Sequence, residues 1–187
     1  MPHPDSGMIQ DCISGKASAQ KALYEYYAPR MLAVCNRYAQ KTAEAEDILQ
    51  DAFVKVFQNL HKYQETGSLE AWIRRVCVNT AIDHVRREKH RYKELEIKEA
   101  AGAKEVNENA LDMLELEFLF EIIQALPSGY RLVFNMYAIE GYSHAEIGKK
   151  LNISESTSRS QYARARALLK QRISEAYMET NIYKDAI

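Results

Sequence analysis

"GYSHAEIGKKLNISESTSRSQYARARALL", residues 141–169, holds two helix starts separated by a short turn. Ser143 with Glu146 three residues on makes a capping box, in which the serine oxygen accepts from a first-turn amide and the glutamate reaches back. Ile147 and Leu151 lie four apart and face inward, while Gly148 is small where two helices cross closely. Asn152 tolerates the left-handed backbone that a tight turn demands, Ile153 closes the corner, and Ser154 is placed to cap a second helix. On that helix Ser158, Tyr162, Ala165 and Leu169 form a packing stripe, and Arg159, Ser160, Ala163 and Arg164 fall on a different face. Two short helices joined by a turn of roughly three to four residues make a helix-turn-helix, whose second helix fits the major groove of DNA. Small Ser160 and Ala163 permit close approach to bases, and arginines reach guanine edges or phosphates. Arg166, Lys170 and Arg172, further along, suit contacts to the DNA backbone. Taken alone, the arginines fit a solvated helix whose cations complement its dipole equally well. The capping box, turn and stripe at matching offsets favour the DNA-binding motif.

The rest of the chain is also helical in pattern. Its 187 residues include only seven glycines and four prolines, and no segment alternates apolar and polar residues over strand length, so an all-α fold is expected. In ASAQKALYEYYAPRMLAVCNRYAQ, Leu23, Tyr27, Met31, Leu32, Cys35 and Tyr38 recur at helical steps, and Pro29 predicts a kink or a break between two helices. Thr42 is placed to cap the next helix, with Glu44, Glu46 and Asp47 in its first turn. That helix runs to about Leu60 with Ile48, Leu49, Ala52, Phe53, Val56, Phe57 and Leu60 on one broad face, while Gln50, Asp51, Val54 and Gln58 point elsewhere. HKYQETGS interrupts the pattern, with Gly67 supplying the turn and Ser68 a cap for a long helix from Leu69 to about Lys93. Its inward residues are Trp72, Ile73, Val76, Thr80, Ile82 and Val85.

A formal net charge of −1 conceals a strong pattern along the chain. Arg74, Arg75, Arg86, Arg87, Lys89, Arg91 and Lys93 make a basic block; Glu94 to Glu121 is predominantly acidic; Ser154 to Ile173 is basic again. KEAAGAKEVNENALD lacks apolar periodicity and reads as a linker. The organisation expected is two small helical domains, 1–95 and 111–177, joined by an acidic linker over 96–110 and followed by a tail, 178–187.

The composition also narrows function. No apolar run spans a bilayer, and MPHPDSGMIQ has neither the basic nor the apolar part of a signal peptide, so a cytoplasmic protein without membrane insertion is expected. Cys12, Cys35 and Cys77 are odd in number and lack Cys-x-x-Cys spacing, which points to buried thiols rather than disulfides or zinc. There is no catalytic constellation, phosphate-binding Gly-rich loop or metal-ligand spacing; no enzyme and no cofactor are expected, and His61, His84, His90 and His144 read as solvated or structural.

Three of these segments, in this order, resemble the bacterial sigma-70 family of RNA polymerase sigma factors, in its extracytoplasmic-function (ECF) group. AEAEDILQDAFVKVFQNL is similar to the region 2 helix that grips the clamp of core RNA polymerase, and GSLEAWIRRVCVNTAIDHVRREKH resembles the region 2 helix that melts and reads the −10 element. ALPSGYRLVFNMYAIEGYSHAEIGKKLNISESTSRSQYARARALL resembles region 4, which reads the −35 element and touches the polymerase flap. Carried over position by position, the resemblance implies polymerase contacts at Asp47, Gln50, Asp51 and Val54. For −10 DNA it implies Asn79, Asp83, Arg86 and Arg87, which match an Asn-x-x-x-Asp-x-x-Arg-Arg pattern, with the aspartate orienting an arginine. Lys62, Tyr63 and Gln64 lie in the loop where the family captures a flipped base. For −35 DNA it implies Arg159, Ser160, Gln161, Ala163, Arg164 and Arg166.

Trp72 has a family counterpart, but packing is the preferred reading of it. Ser158 stands where the family commonly has an aliphatic residue, and Gln161 and Ala163 where it has basic or bulkier ones, so the −35 sequence does not transfer. The resemblance also implies that the acidic linker threads the polymerase channel later taken by RNA, although a solvated tether explains its composition equally well. The partners implied are core RNA polymerase through clamp and flap, promoter DNA and an anti-sigma factor. From the residues alone, a free-standing helix-turn-helix regulator and a helical adaptor without a DNA role stay open.

Overall fold

A computed structural model describes residues 6–64, 67–95 and 114–184. The expected linker, 96–110, lies outside the described residues. The regular elements are all helical: α1 (Ser6–Ile13), α2 (Ala17–Asn36), α3 (Thr42–Asn59) with a 3₁₀ turn Leu60–Lys62, α4 (Leu69–Leu95), α5 (Leu114–Gln124), α6 (Ser128–Phe134) with a π turn Asn135–Ile139, α7 (His144–Leu151) and α8 (Glu155–Lys184). They group into two compact units, Met1–Leu95 and Glu96–Ile187.

In the first unit α2, α3 and α4 pack on one another. The core follows from residues spaced by three and four: Leu23, Tyr27, Met31 and Cys35 on α2; Ile48, Leu49, Ala52, Phe53 and Val56 on α3; Ile73, Cys77, Val78, Ala81 and Ile82 on α4. Tyr24 meets Phe53 edge-on at 4.8 Å, a favoured aromatic geometry. Leu32, Phe57, Trp72, Val76 and Val85 are only half-buried, at the margins of these stripes.

Two local expectations are corrected in this unit. Pro29 neither breaks nor divides α2, which runs unbroken from Ala17 to Asn36. Proline withholds one amide from the helix ladder, while burial of Tyr27 and Met31 on either side holds the turn in place. Thr42 is the first helical residue rather than the cap; Lys41 occupies the cap position, and the Glu44 carboxylate accepts from the Gln40 amide at 2.7 Å. Gly67 stands in the bend that precedes α4. Cys12, Cys35 and Cys77 are buried thiols. A hydrogen bond to Cys35, reinforced by burial, pushes the Cys77 thiol far above its ordinary value, which keeps it protonated and unreactive.

The second unit is built on Ile122, Leu126, Ala165 and Leu169, with Phe118, Ile123, Tyr130, Phe134, Leu168 and Ile173 packed around them. Helix α5 ends at Gln124, just before Pro127. Buried Arg131 turns back to donate to the Gln124 carbonyl and side-chain oxygen, both at 2.8 Å, satisfying an acceptor that the helix end leaves open. The π turn after α6 widens the backbone step, with the Glu140 amide reaching the Asn135 carbonyl at 3.0 Å. Within this turn, Tyr137 lies flat against His144. Helix α8 continues to Lys184, past the domain end expected at 177.

Candidate nucleic-acid interface

The turn between α7 and α8 is built by four residues acting locally. Ser143 caps α7 with both halves of the capping box formed, its amide donating to Glu146 at 2.9 Å and its Oγ accepting from the Glu146 amide at 3.3 Å. Asn152 ends α7 in the left-handed conformation, φ 54° and ψ 49°. Gly148 lies against the following turn so closely that a Cβ there would stand 2.9 Å from the Ile153 carbonyl oxygen. Ser154 Oγ then accepts from the Thr157 amide at 2.9 Å, starting α8.

Helix α8 divides as its sequence predicts. Ser158, Ala165 and Leu169 are buried and Tyr162 is half-buried, whereas Arg159, Ser160, Ala163, Arg164 and Arg166 are exposed. The arginines are steered. Arg159 pairs with Glu155 at 2.5 Å, Arg164 donates to the Tyr130 hydroxyl at 3.3 Å, and Arg166 lies 5.9 Å above the Tyr162 ring. Each is an exposed contact worth about 0–1 kcal/mol, weak enough for an arginine to exchange for a phosphate or base. Gln161 sits apart from this row, half-buried, with its amide near Gly129 of α6.

Arg172 departs from its expected role. It is half-buried and donates to the carbonyls of Ile122 and Ala125 at 3.2 and 3.3 Å, closing the C-terminal end of α5 rather than facing a DNA backbone. The sequence gives no signal of this because the acceptors lie some fifty residues away.

In the first unit Asp47, Gln50, Asp51 and Val54 form an exposed strip along α3, and Val54 keeps 53% of its surface accessible despite being apolar. Lys62 donates to the Asn59 side chain at 2.7 Å. Tyr63 donates its hydroxyl to the Gly67 carbonyl and rests 5.9 Å from Trp72. Gln64 is exposed beside it. On α4, Asn79 is half-buried and Asp83, Arg86 and Arg87 are exposed. Asp83 lies 3.8 Å from Arg86, and its carbonyl accepts from Arg87 Nε at 3.4 Å. Arg87 also reaches Asp51 on α3 at 4.0 Å, so the α3 strip and the basic end of α4 are neighbours. Proximity of those two sets, like the Lys55 to Thr80 bond at 3.2 Å, comes from packing and is invisible in either helix alone.

A capped helix-turn-helix in one helical unit and exposed Arg86 and Arg87 on a helix of the other are the features of a DNA-recognition protein of the two-domain helical kind. Comparison with known proteins gives the family. The model for sigma-70 region 2 matches residues 23–91, and that for sigma-70 region 4 matches residues 119–169, together well over half the chain. The ECF RNA polymerase sigma factor SigW of Bacillus subtilis is 27% identical over 176 residues, covering 88% of this chain and 94% of its own. The ECF RNA polymerase sigma-E factor of Escherichia coli is 26% identical over 180 residues, covering 90% and 94%. Among solved structures, the sigma factor RpoE of Bartonella quintana, in complex with the anti-sigma factor NepR, has the same fold at a TM-score of 0.53 and 18% identity, covering 82% of this chain and 96% of its own. The chain belongs to the sigma-70 family, in its ECF group. It is a sigma factor of transcription initiation, binding core RNA polymerase and promoter DNA, and sigma factors are regulatory DNA-recognition proteins rather than enzymes.

Proposed function

We propose that this sigma factor divides its work between three surfaces. The α3 strip of Asp47, Gln50, Asp51 and Val54 docks on the polymerase clamp. The basic end of α4, with Asn79, Asp83, Arg86 and Arg87, engages the −10 element beside the loop residues Lys62, Tyr63 and Gln64. The outward row of α8, with Arg159, Ser160, Ala163, Arg164 and Arg166, reads the −35 element, with Gln161 at its inner margin. The observation that carries the reading is the exposed row on α8 behind a fully capped turn, since a helix presented in this way can enter a major groove with that row facing the bases. On α3, Asp47, Gln50, Asp51 and Val54 are all exposed on one strip, which leaves them open to a protein partner.

In this reading the acidic segment 96–110 joins the two domains, and the protein works in the cytoplasm without enzymatic activity or a cofactor. It controls a specific set of promoters and is held inactive by an anti-sigma factor. Among the described residues no helix is long and apolar enough to cross a membrane. RpoE of Bartonella quintana, which shares the fold, is bound by the anti-sigma factor NepR, and that supports a partner of the same kind here.

Separating the surfaces tests the reading. Substituting Val54→Glu should weaken binding to core polymerase while the holoenzyme that does form keeps its promoter preference. Arg164→Ala should leave core binding unchanged and cost about 1–3 kcal/mol at a −35 element if it contacts a base. An equal loss on every sequence, with a shallower salt dependence, would assign Arg164 to a phosphate instead. Loss of core binding from the α8 variant and of base preference from the α3 variant would contradict the division.

A further inference from the structure

The seam between α7 and α8 contains one polar pair that the promoter contacts do not use. His144, the first residue of α7, is 8% exposed, and Ser158, on the inner face of α8, is 0% exposed. Nδ1 of the ring lies 2.9 Å from the Ser158 Oγ. The imidazole is stacked on Tyr137, centroids 4.2 Å apart and 11° from parallel, and Tyr162 stands 5.8 Å away at 59°. Tyr137 and Tyr162 meet each other at 4.6 Å, closing an aromatic cover over the ring. On the same two helices Ile147 of α7 and Ala165 of α8 are fully buried, and Gly148 lies tight against the turn that joins them.

We propose that His144 and Ser158 are a positioning pair that sets the recognition helix against α7, so that −35 discrimination by α8 depends on their hydrogen bond. Ser158 immediately precedes Arg159 and lies two residues before Ser160, on the rigid start of the same helix. A displacement at Ser158 is therefore carried directly to the residues that face DNA. The bond is directional where an aliphatic contact is not, and removing either partner leaves the other buried without its bond. Aromatic stacking restricts the ring to one plane, which fixes where Nδ1 points. Tyr137 lies within the π turn.

The pair also has a readable pH signature. Burial lowers the pKa of His144 below its ordinary value of 6.5; Arg159 lowers it further, and Glu155 opposes both. These two residues of α8, with the phenols of Tyr137 and Tyr162, are the titratable or charged groups placed around the ring. With the proton on Nε2, neutral His144 accepts from the Ser158 hydroxyl through Nδ1; once protonated, Nδ1–H is a donor, the hydroxyl must turn to accept from it, and the buried ring carries a charge. Because the folded pKa is depressed, the stabilisation is full above the unfolded value near 6.5 and is lost as the pH falls through 6.5 toward the folded value.

This inference rests on α8 as the −35 reader. The test uses holoenzyme reconstituted from core RNA polymerase and the full chain, on a promoter it initiates, compared with the same promoter carrying scrambled −35 bases. Ser158→Ala and His144→Ala should each reduce the ratio of initiation on the two templates by about tenfold. The double variant should do no worse than either single one, and core binding should not change. Ser158→Thr, which retains a hydroxyl, should keep the ratio close to wild type. His144→Asn, which retains an acceptor without titrating, should preserve the ratio and abolish its decline as the pH falls below 6.5. These two conservative variants carry the test if either alanine variant fails to fold. Additive losses, unchanged discrimination in both alanine variants, or the same pH decline in His144→Asn would overturn the pairing. Equal initiation by the wild-type holoenzyme on intact and scrambled −35 templates would instead show failure of the α8 reading itself.

Discussion

Gly148 is the residue on which the recognition geometry is least tolerant. A methyl group at this position would meet the Ile153 carbonyl, a backbone atom in the turn, at 2.9 Å. Gly148→Ala should destabilise the second unit by about 1–3 kcal/mol, as overpacking does elsewhere, seen as a lowered thermal midpoint for that unit alone. A midpoint equal to wild type would show that α7 and α8 separate freely. Ser143, Glu146, Gly148, Asn152 and Ser154 were legible in sequence because each acts on neighbours a few residues away. His144 was not: a lone histidine at a helix start reads as solvated or structural, and its partner Ser158 looks like a small residue on a packing stripe. Only folding brings the two within 2.9 Å.

At the scale of elements, side-chain periodicity specifies which face is buried more securely than it specifies what the other face does. The exposed row of α8 follows from helical spacing, and so does the strip on α3. Arg172 shows the limit: it shares the basic character of α8, yet its guanidinium reaches back to two carbonyls at the end of α5. Arg172→Ala should therefore reduce the stability of the second unit by about 1–3 kcal/mol, because part-buried carbonyls lose a charged donor, and should leave the salt dependence of promoter binding unaltered. A shallower salt slope with no loss of stability would return Arg172 to the DNA-facing set. Pro29 is the converse case. Local chemistry predicts a kink or a break, and packing around Tyr27 and Met31 keeps α2 continuous.

Across the molecule, the near-neutral chain is a mosaic whose basic parts fall on α4 and α8, the helices that carry the two proposed promoter-facing surfaces. The all-helical class and the helix-turn-helix were readable from spacing and capping. The nearness of Asp51 to Arg87 was not, since it joins residues from two helices whose packing angle no single segment encodes. That contact puts the proposed polymerase-facing strip next to the proposed −10 surface, so that docking and promoter opening would occur side by side. The most direct measurement of the central claim is run-off transcription by purified core RNA polymerase on genomic fragments, with and without the full chain. Initiation at a discrete set of promoters only when the chain is added is the predicted result; DNA binding by the chain in the absence of polymerase, with no initiation in its presence, would contradict it.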